Sequence, residues 1–218
     1  MPKRASTPKP SPTPSQAPAR GAVTRYVALL RGINVGGHRV SMATLRDHFS
    51  ALGLARVETY IASGNVLFEV PHADTDTDTD TDTDAATPRT VDALESMIEA
   101  QLERSLGYAV STFVRTSAEL ADSLAALPFD AGEVATEGYR VHIGFLRSSP
   151  SADVVRQVEE ASTSYDTLRV VGREMYWLTR GRFSDTQVKW PALERATQLD
   201  VTMRNMNTVQ ALVARERR

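Results

Sequence analysis

Apolar positions recur along this chain with two periods, about 2 and about 3.6 residues, and their alternation sets the order of elements. Tyr26-Val-Ala-Leu-Leu-Arg31 is a short apolar run that stops at Gly32, which predicts a strand. A glycine-bearing loop follows, Arg31-Gly-Ile-Asn-Val-Gly-Gly-His38. Ser41 stands where an N-cap belongs, Met42, Leu45, Phe49 and Leu52 keep helical spacing, and Gly53 stops the helix. Val57 to Ile61 and Val66 to Val70 read as strands joined by Ala62-Ser63-Gly64-Asn65, a hairpin signal. Val91, Leu94, Ile98 and Leu102 mark a second helix capped by Gly107, and Val110 to Val114 a fourth strand. The order β-α-β-β-α-β is the ferredoxin-like split unit.

A linking helix comes next, opened by the capping box Thr116 and Glu119, lined by Leu120, Leu124 and Leu127, and ended by Pro128. The pattern then repeats. Val141 to Arg147 is a strand ending in Leu-Arg, as the first does at Leu30-Arg31. Ser149-Pro150 is read as opening a helix, and Gly172-Arg173 joins two strands, Leu168 to Val171 and Met175 to Leu178, in the place Gly64 holds earlier. Trp190-Pro191 precedes a helix, Val201 to Arg204 reads as a last strand, and Val209, Leu212 and Val213 mark a closing helix. The expected class is α+β: tandem ferredoxin-like halves with antiparallel sheets, a linking helix and a C-terminal helix.

In such a unit the first two strands run parallel through a right-handed crossover. The loop 31–38 and the turn 63–65 should therefore meet at one rim of the sheet. The first and third strands are apolar on both faces, whereas helices cover only one. The second half, the linking helix or a partner subunit must cover the other.

Composition adds boundaries. The chain has 218 residues with net charge −2 and no cysteine, so a disulfide framework, a thiolate nucleophile and a Cys-ligated zinc are excluded. No apolar run approaches the roughly 18–20 residues of a membrane span. Residues 1–22 carry four cations, no acid and six prolines, and read as a disordered basic tail, with nucleic-acid or partner docking as the alternative. An Asp-Thr alternation from Asp74 to Asp84 holds six carboxylates. It reads as a disordered acidic insertion (71–88), with divalent-ion binding as the alternative. Without these two segments the core is near neutral, which argues against duplex nucleic acid. The organisation expected is a first half at 23–115, a link at 116–137 and a second half at 138–218, in a soluble cytoplasmic monomer or homodimer.

The first-loop motif Tyr26-Val-Ala-Leu-Leu-Arg-Gly-Ile-Asn-Val-Gly-Gly37 and the turn motif Thr59-Tyr-Ile-Ala-Ser-Gly-Asn-Val66 resemble those of a bacterial family, domain of unknown function 1697. Leu127-Pro128-Phe129, Gly172-Arg173-Glu174 and Thr202 to Val209 are further echoes. The resemblance spans about residues 24–214 and implies a ferredoxin-like build with no settled activity. Two departures stand out: Asp185 replaces a usual Lys, and Met206 stands where an aromatic is common. A lysine-dependent or stacking role is not carried to those points.

The best candidate for chemistry is the first loop. Glycines at 32, 36 and 37 let backbone N–H groups approach an anion closely, Arg31 can clamp a phosphate or carboxylate, and Asn34 can add an amide. Ser63, Gly64 and Asn65 arrive from the neighbouring turn, and Arg204 and Asn205 can extend an anion pocket between the halves. The competing readings are structural: glycines for tight turns, Arg31 paired with a carboxylate, and Asn205 or Asn207 as a helix cap. The spacing matches no nucleotide fingerprint. His38 beside Ser63 raises a base–nucleophile pair as an alternative, enzymatic use of the same pocket. A protein-interaction module with purely structural motifs is the third reading. No histidine pair has metal-site spacing, so neither metal nor cofactor is expected. Stacking of single-stranded RNA on the sheet would need exposed Tyr26 and Phe68, which the two-sided apolar pattern buries instead.

Overall fold

A computed structural model describes residues 24–70 and 90–216. The basic tail and the acidic insertion lie outside the described residues. The first half runs β1 (Thr24–Leu30), α1 (Met42–Ser50), β2 (Ala55–Tyr60), β3 (Asn65–Val70), α2 (Val91–Leu106) and β4 (Thr112–Thr116). Its strands form an antiparallel sheet in the order β2-β3-β1-β4. After α3 (Ser117–Ala125) and a short α4 (Ala131–Ala135), the second half gives β5 (Arg140–Leu146), α5 (Ala152–Glu160), β6 (Asp166–Val171), β7 (Glu174–Thr179), α6 (Trp190–Thr197) and β8 (Val201–Asn205). Its sheet has the matching order β6-β7-β5-β8, and α7 (Met206–Glu216) closes the chain. The architecture is α+β with two similar halves, consistent with tandem duplication.

Local chemistry explains most boundaries. The Ser41 and Thr90 side chains accept from the backbone N–H groups of Thr44 and Ala93, and Thr116 with Glu119 makes a reciprocal capping box. Gly107 ends α2 in the left-handed conformation at φ 80°. The cap of α5 is Ser151, whose side chain accepts from Val154 N–H, and not Ser149. Ser149 and Ser151 are equally good local caps.

Two-sided burial of the strands yields three cores. Ala28, Leu30, Val66 and Phe68 face Leu45 and Phe49 of α1 and Leu94, Ile98 and Leu102 of α2. Val27, Leu29, Leu67 and Phe113 point the other way, toward Ile143, Phe145 and Tyr176 of the second sheet. Leu120 of α3 and Val209 and Leu212 of α7 join that middle layer. The second half with the linking and closing helices is therefore the missing cover. Beyond the second sheet, Leu146, Leu168, Met175 and Trp177 pack with Val158. Tyr26 and Phe68 are 8% and 2% exposed, so no stacking platform is open there.

His142 on β5 lies with its ring 4.2 Å from that of Phe183, and its Nδ1 is buried without a partner. Burial holds its pKa down to about 4 from the ordinary 6.5. Between those values the unfolded chain binds one more proton than the folded one, so this residue lowers stability as pH falls from 6.5 to 4. Glu95, pushed upward by burial, acts in the opposite sense. Asp166, held below the ordinary carboxylate range by donors from Trp177, Thr186, Gln187 and Thr163, titrates beneath that window. His142→Leu should flatten the acid loss. Urea midpoints at pH 7 and pH 4.5 should differ less in the variant than in the parent.

Candidate anion site at the junction of the halves

The loop after β1 and the turn after β2 meet at one rim, because a strand pairs between them. Leu29 lies opposite Asn65 in register, and Leu30 N–H donates to Gly64 C=O at 2.8 Å. β3 ends at the other rim, where Val70 pairs with Thr24. Asn34 ties the bends together: its Nδ2 donates to Ala62 C=O at 2.9 Å, and its Oδ1 accepts from Val40 N–H at 2.7 Å. Gly64 permits the close approach. At φ 75°, a Cβ there would fall 2.8 Å from Ile33 Cγ2 and 2.9 Å from Leu30 Cβ. Ile61 holds φ 49°, a left-handed backbone that a β-branched residue rarely adopts, so the turn stores strain beside the site.

Arg204 is the centre of this junction. It sits on β8, is 6% exposed, and reaches across the inter-sheet layer into the first half. Its Nε donates to Asn65 Oδ1 at 2.5 Å, and its Nη2 donates to the carbonyls of Leu30, Ser63 and Gly64 at 2.9, 3.0 and 3.2 Å. Nη1 donates to Thr202 Oγ1 and Met203 C=O. Every one of these acceptors is neutral. Burial pulls the guanidinium down to about 10, which leaves it charged at neutral pH.

An arginine of the first half makes the corresponding contact on the second, with one difference. Arg115 occupies on β4 the place of Arg204 on β8 and donates to the carbonyls of Leu146 and Arg173, at the ends of the corresponding strand and turn. Its Nε, however, meets the Glu174 carboxylate at 2.9 Å. Glu174 and Asn65 are equivalent by register, opposite Phe145 and Leu29. Among the described residues, one buried arginine is thus paired with a carboxylate and the other is not.

The neutral Asn65 passes that charge outward. Its Nδ2 donates to Tyr60 C=O at 2.9 Å and to Ser63 Oγ at 3.0 Å. Because Oγ is the acceptor, the Ser63 O–H is left to donate. Arg204 polarises the Asn65 amide, and the amide polarises the hydroxyl, each bond strengthening the next. The chain ends on a donor at the surface.

Arg31 has a structural duty. It donates through Nη1 to Asp200 at 2.7 Å and through Nη2 to Glu194, joining the first loop to the second half. Arg147, its counterpart, pairs in the same way with Glu95 and Glu99 of α2. Those two carboxylates also accept from Val114 and Thr112 N–H on the edge strand β4. The acids signalled nothing in the sequence, since acids on a helix are usually solvated.

A cleft of about 400 Å³ opens at the junction. Arg31, Gly32, Asn34 and Ser63 line it from the first half, with Arg204 at its inner wall. Gly64 and Asn65 lie buried in the adjoining turn and strand. Gly36 and Gly37 occupy the exposed outer arc of the loop. The structure does not bring Asn205 to this group: it lies opposite His142 in register, caps α7 by accepting from Asn207 N–H at 2.9 Å, and lines a separate cleft with Thr136 and Tyr139. His38 stacks on Tyr108 with ring centroids 3.8 Å apart, and among the described residues no hydrogen bond joins it to Ser63. Sequence reasoning missed Trp190, Thr202 and Met203, which also line the cleft. Trp190-Pro191 signalled only a helix start. Among the described residues, no helix is long and apolar enough to cross a membrane, and no group of three or more His, Asp or Glu side chains is placed to hold a metal ion.

Comparison with known proteins supports the fold. The conserved bacterial protein SP0830 from Streptococcus pneumoniae is similar in structure, with a TM-score of 0.63 and 24% identity over 88% of this chain and 98% of that one. No curated protein matches. The model of a family described as protein of unknown function (DUF1697) matches residues 23–176. That stretch contains both loops, Asn65, Arg115 and Glu174, and ends before Arg204. Since it takes in well over half of the sequence, the chain belongs to the DUF1697 family.

Proposed function

We propose that this protein is a binding module for a small anionic ligand, such as a phosphorylated one, held in the cleft at the glycine-bearing loop. The observation that supports this most is the hydrogen-bond relay from Arg204 through Asn65 to Ser63. It begins at a buried cation that has no carboxylate partner among the described residues and ends at a hydroxyl donor on the cleft wall. The amides of Gly36 and Gly37 have no acceptor among the described residues and supply further donors near the mouth. Arg31, tied to Glu194 and Asp200, positions the loop. Ser63 serves as a donor because its oxygen already accepts from Asn65.

The test is isothermal titration of the full chain with inorganic phosphate. Ser63→Ala should weaken binding about tenfold or more, the usual worth of a hydrogen bond to a charged group, and lower stability by no more than the one Asn65 bond it also removes, about 1–3 kcal/mol. Equal affinity in parent and variant, or a folded parent that binds no phosphate, overturns the reading.

A further inference from the structure

The cleft is larger than its anion site requires, and its remaining wall is apolar. About 400 Å³ falls in the range of sites for small organic molecules, of which a bare oxyanion would fill a fraction. Away from Ser63, the lining comes from Trp190, Val201 and Met203 on the second half and Ile33 and Val35 on the first. Val35, on the rim, is 67% exposed and offers open apolar surface at the cleft. Trp190 is half-buried, packing on Trp177 at 5.6 Å between centroids while also lining the cleft. Met203 adds an adaptable, polarizable contact. An aromatic surface, a thioether and an exposed valine around one opening match the face of a flat ring.

We infer that the ligand is an aromatic or heteroaromatic ring carrying one anionic head, with the head at Ser63 and the ring against Trp190, Met203 and Val35. This rests on the anion-binding reading above and adds the ligand's body to it. The ring covers Val35 and the free surface of Trp190, which gives the exposed valine a partner.

Phenyl phosphate and methyl phosphate carry the same head and differ in the ring, so their titrations separate the two levels. Phenyl phosphate should bind at least about tenfold more tightly to the parent protein, from burial of ring surface. That advantage should vanish in Trp190→Leu, whose affinities for the two phosphates should become alike. If Trp190→Leu destabilises the α6 packing, Val35→Ser, on an exposed loop, should shrink the advantage in a folded protein. Trp190 is one of two tryptophans, and Trp177 is buried against Asp166, so phenyl phosphate should also change the fluorescence assigned to Trp190. Equal binding of the two phosphates overturns the aromatic body and leaves the anion site standing. An advantage that survives both substitutions overturns the assigned wall. Binding of neither phosphate by folded protein overturns the anion site as well.

Discussion

Replacing Arg204 by Met should cost on the order of 3–5 kcal/mol, more than any other single change at the junction. The methionine fills much of the space but donates nothing. Ser63 C=O and Asn65 Oδ1 would lose their donor, Leu30 C=O would keep only a long bond from the Thr202 hydroxyl, and Gly64 C=O only the Leu30 N–H. Each orphaned acceptor costs about 1–3 kcal/mol, partly offset by removal of a buried charge. Arg115→Met should cost less. The Glu174 carboxylate it abandons is partly open to solvent and can hydrate. Arg204→Lys should recover little, because one ammonium cannot reproduce a planar fork that reaches four carbonyls, a hydroxyl and an amide. Urea unfolding checks the order, with the slope unchanged if the halves still unfold together. A loss of less than about 1 kcal/mol for Arg204→Met would mean that the carbonyls find other donors, and the junction would need a different account.

The fold was largely legible because its signals are local. Ser41, Gly107 and the Thr116–Glu119 box each act within one turn of helix, and each cap forms as the pattern suggests. The apolar second face of β1 announced a cover on both sides, and the second sheet provides it. The convergence of residues 31–38 with 63–65 followed from strand topology alone. What stayed hidden depends on contacts between the halves. Arg31 could have been a ligand clamp or an ion-pair member; Glu194 and Asp200, far along the chain, decide it. Asn205 stands beside Arg204 in sequence, but alternation along β8 separates their side chains, and the asparagine caps a helix. The contrast between Asn65 and Glu174 appears only once register aligns the two sheets. Repeat similarity was too slight for sequence alone to place one opposite the other.

That contrast is the core of the functional account. A buried guanidinium with a carboxylate partner is electrically complete, whereas one with an amide partner attracts a negative charge from outside. Asn65→Asp imposes the first condition on the second site with almost no change of shape. The new carboxylate would neutralise Arg204, remove the N–H that Ser63 accepts, and draw the Ser63 hydroxyl inward as a donor. All three effects oppose an incoming anion.

Calorimetric titration of inorganic phosphate into the Asn65→Asp variant therefore tests the account most directly. The expected result is a fall in affinity well beyond tenfold, larger than that of Ser63→Ala, in a protein that remains folded by circular dichroism. Phosphate binding at the parent's affinity in that variant would contradict it.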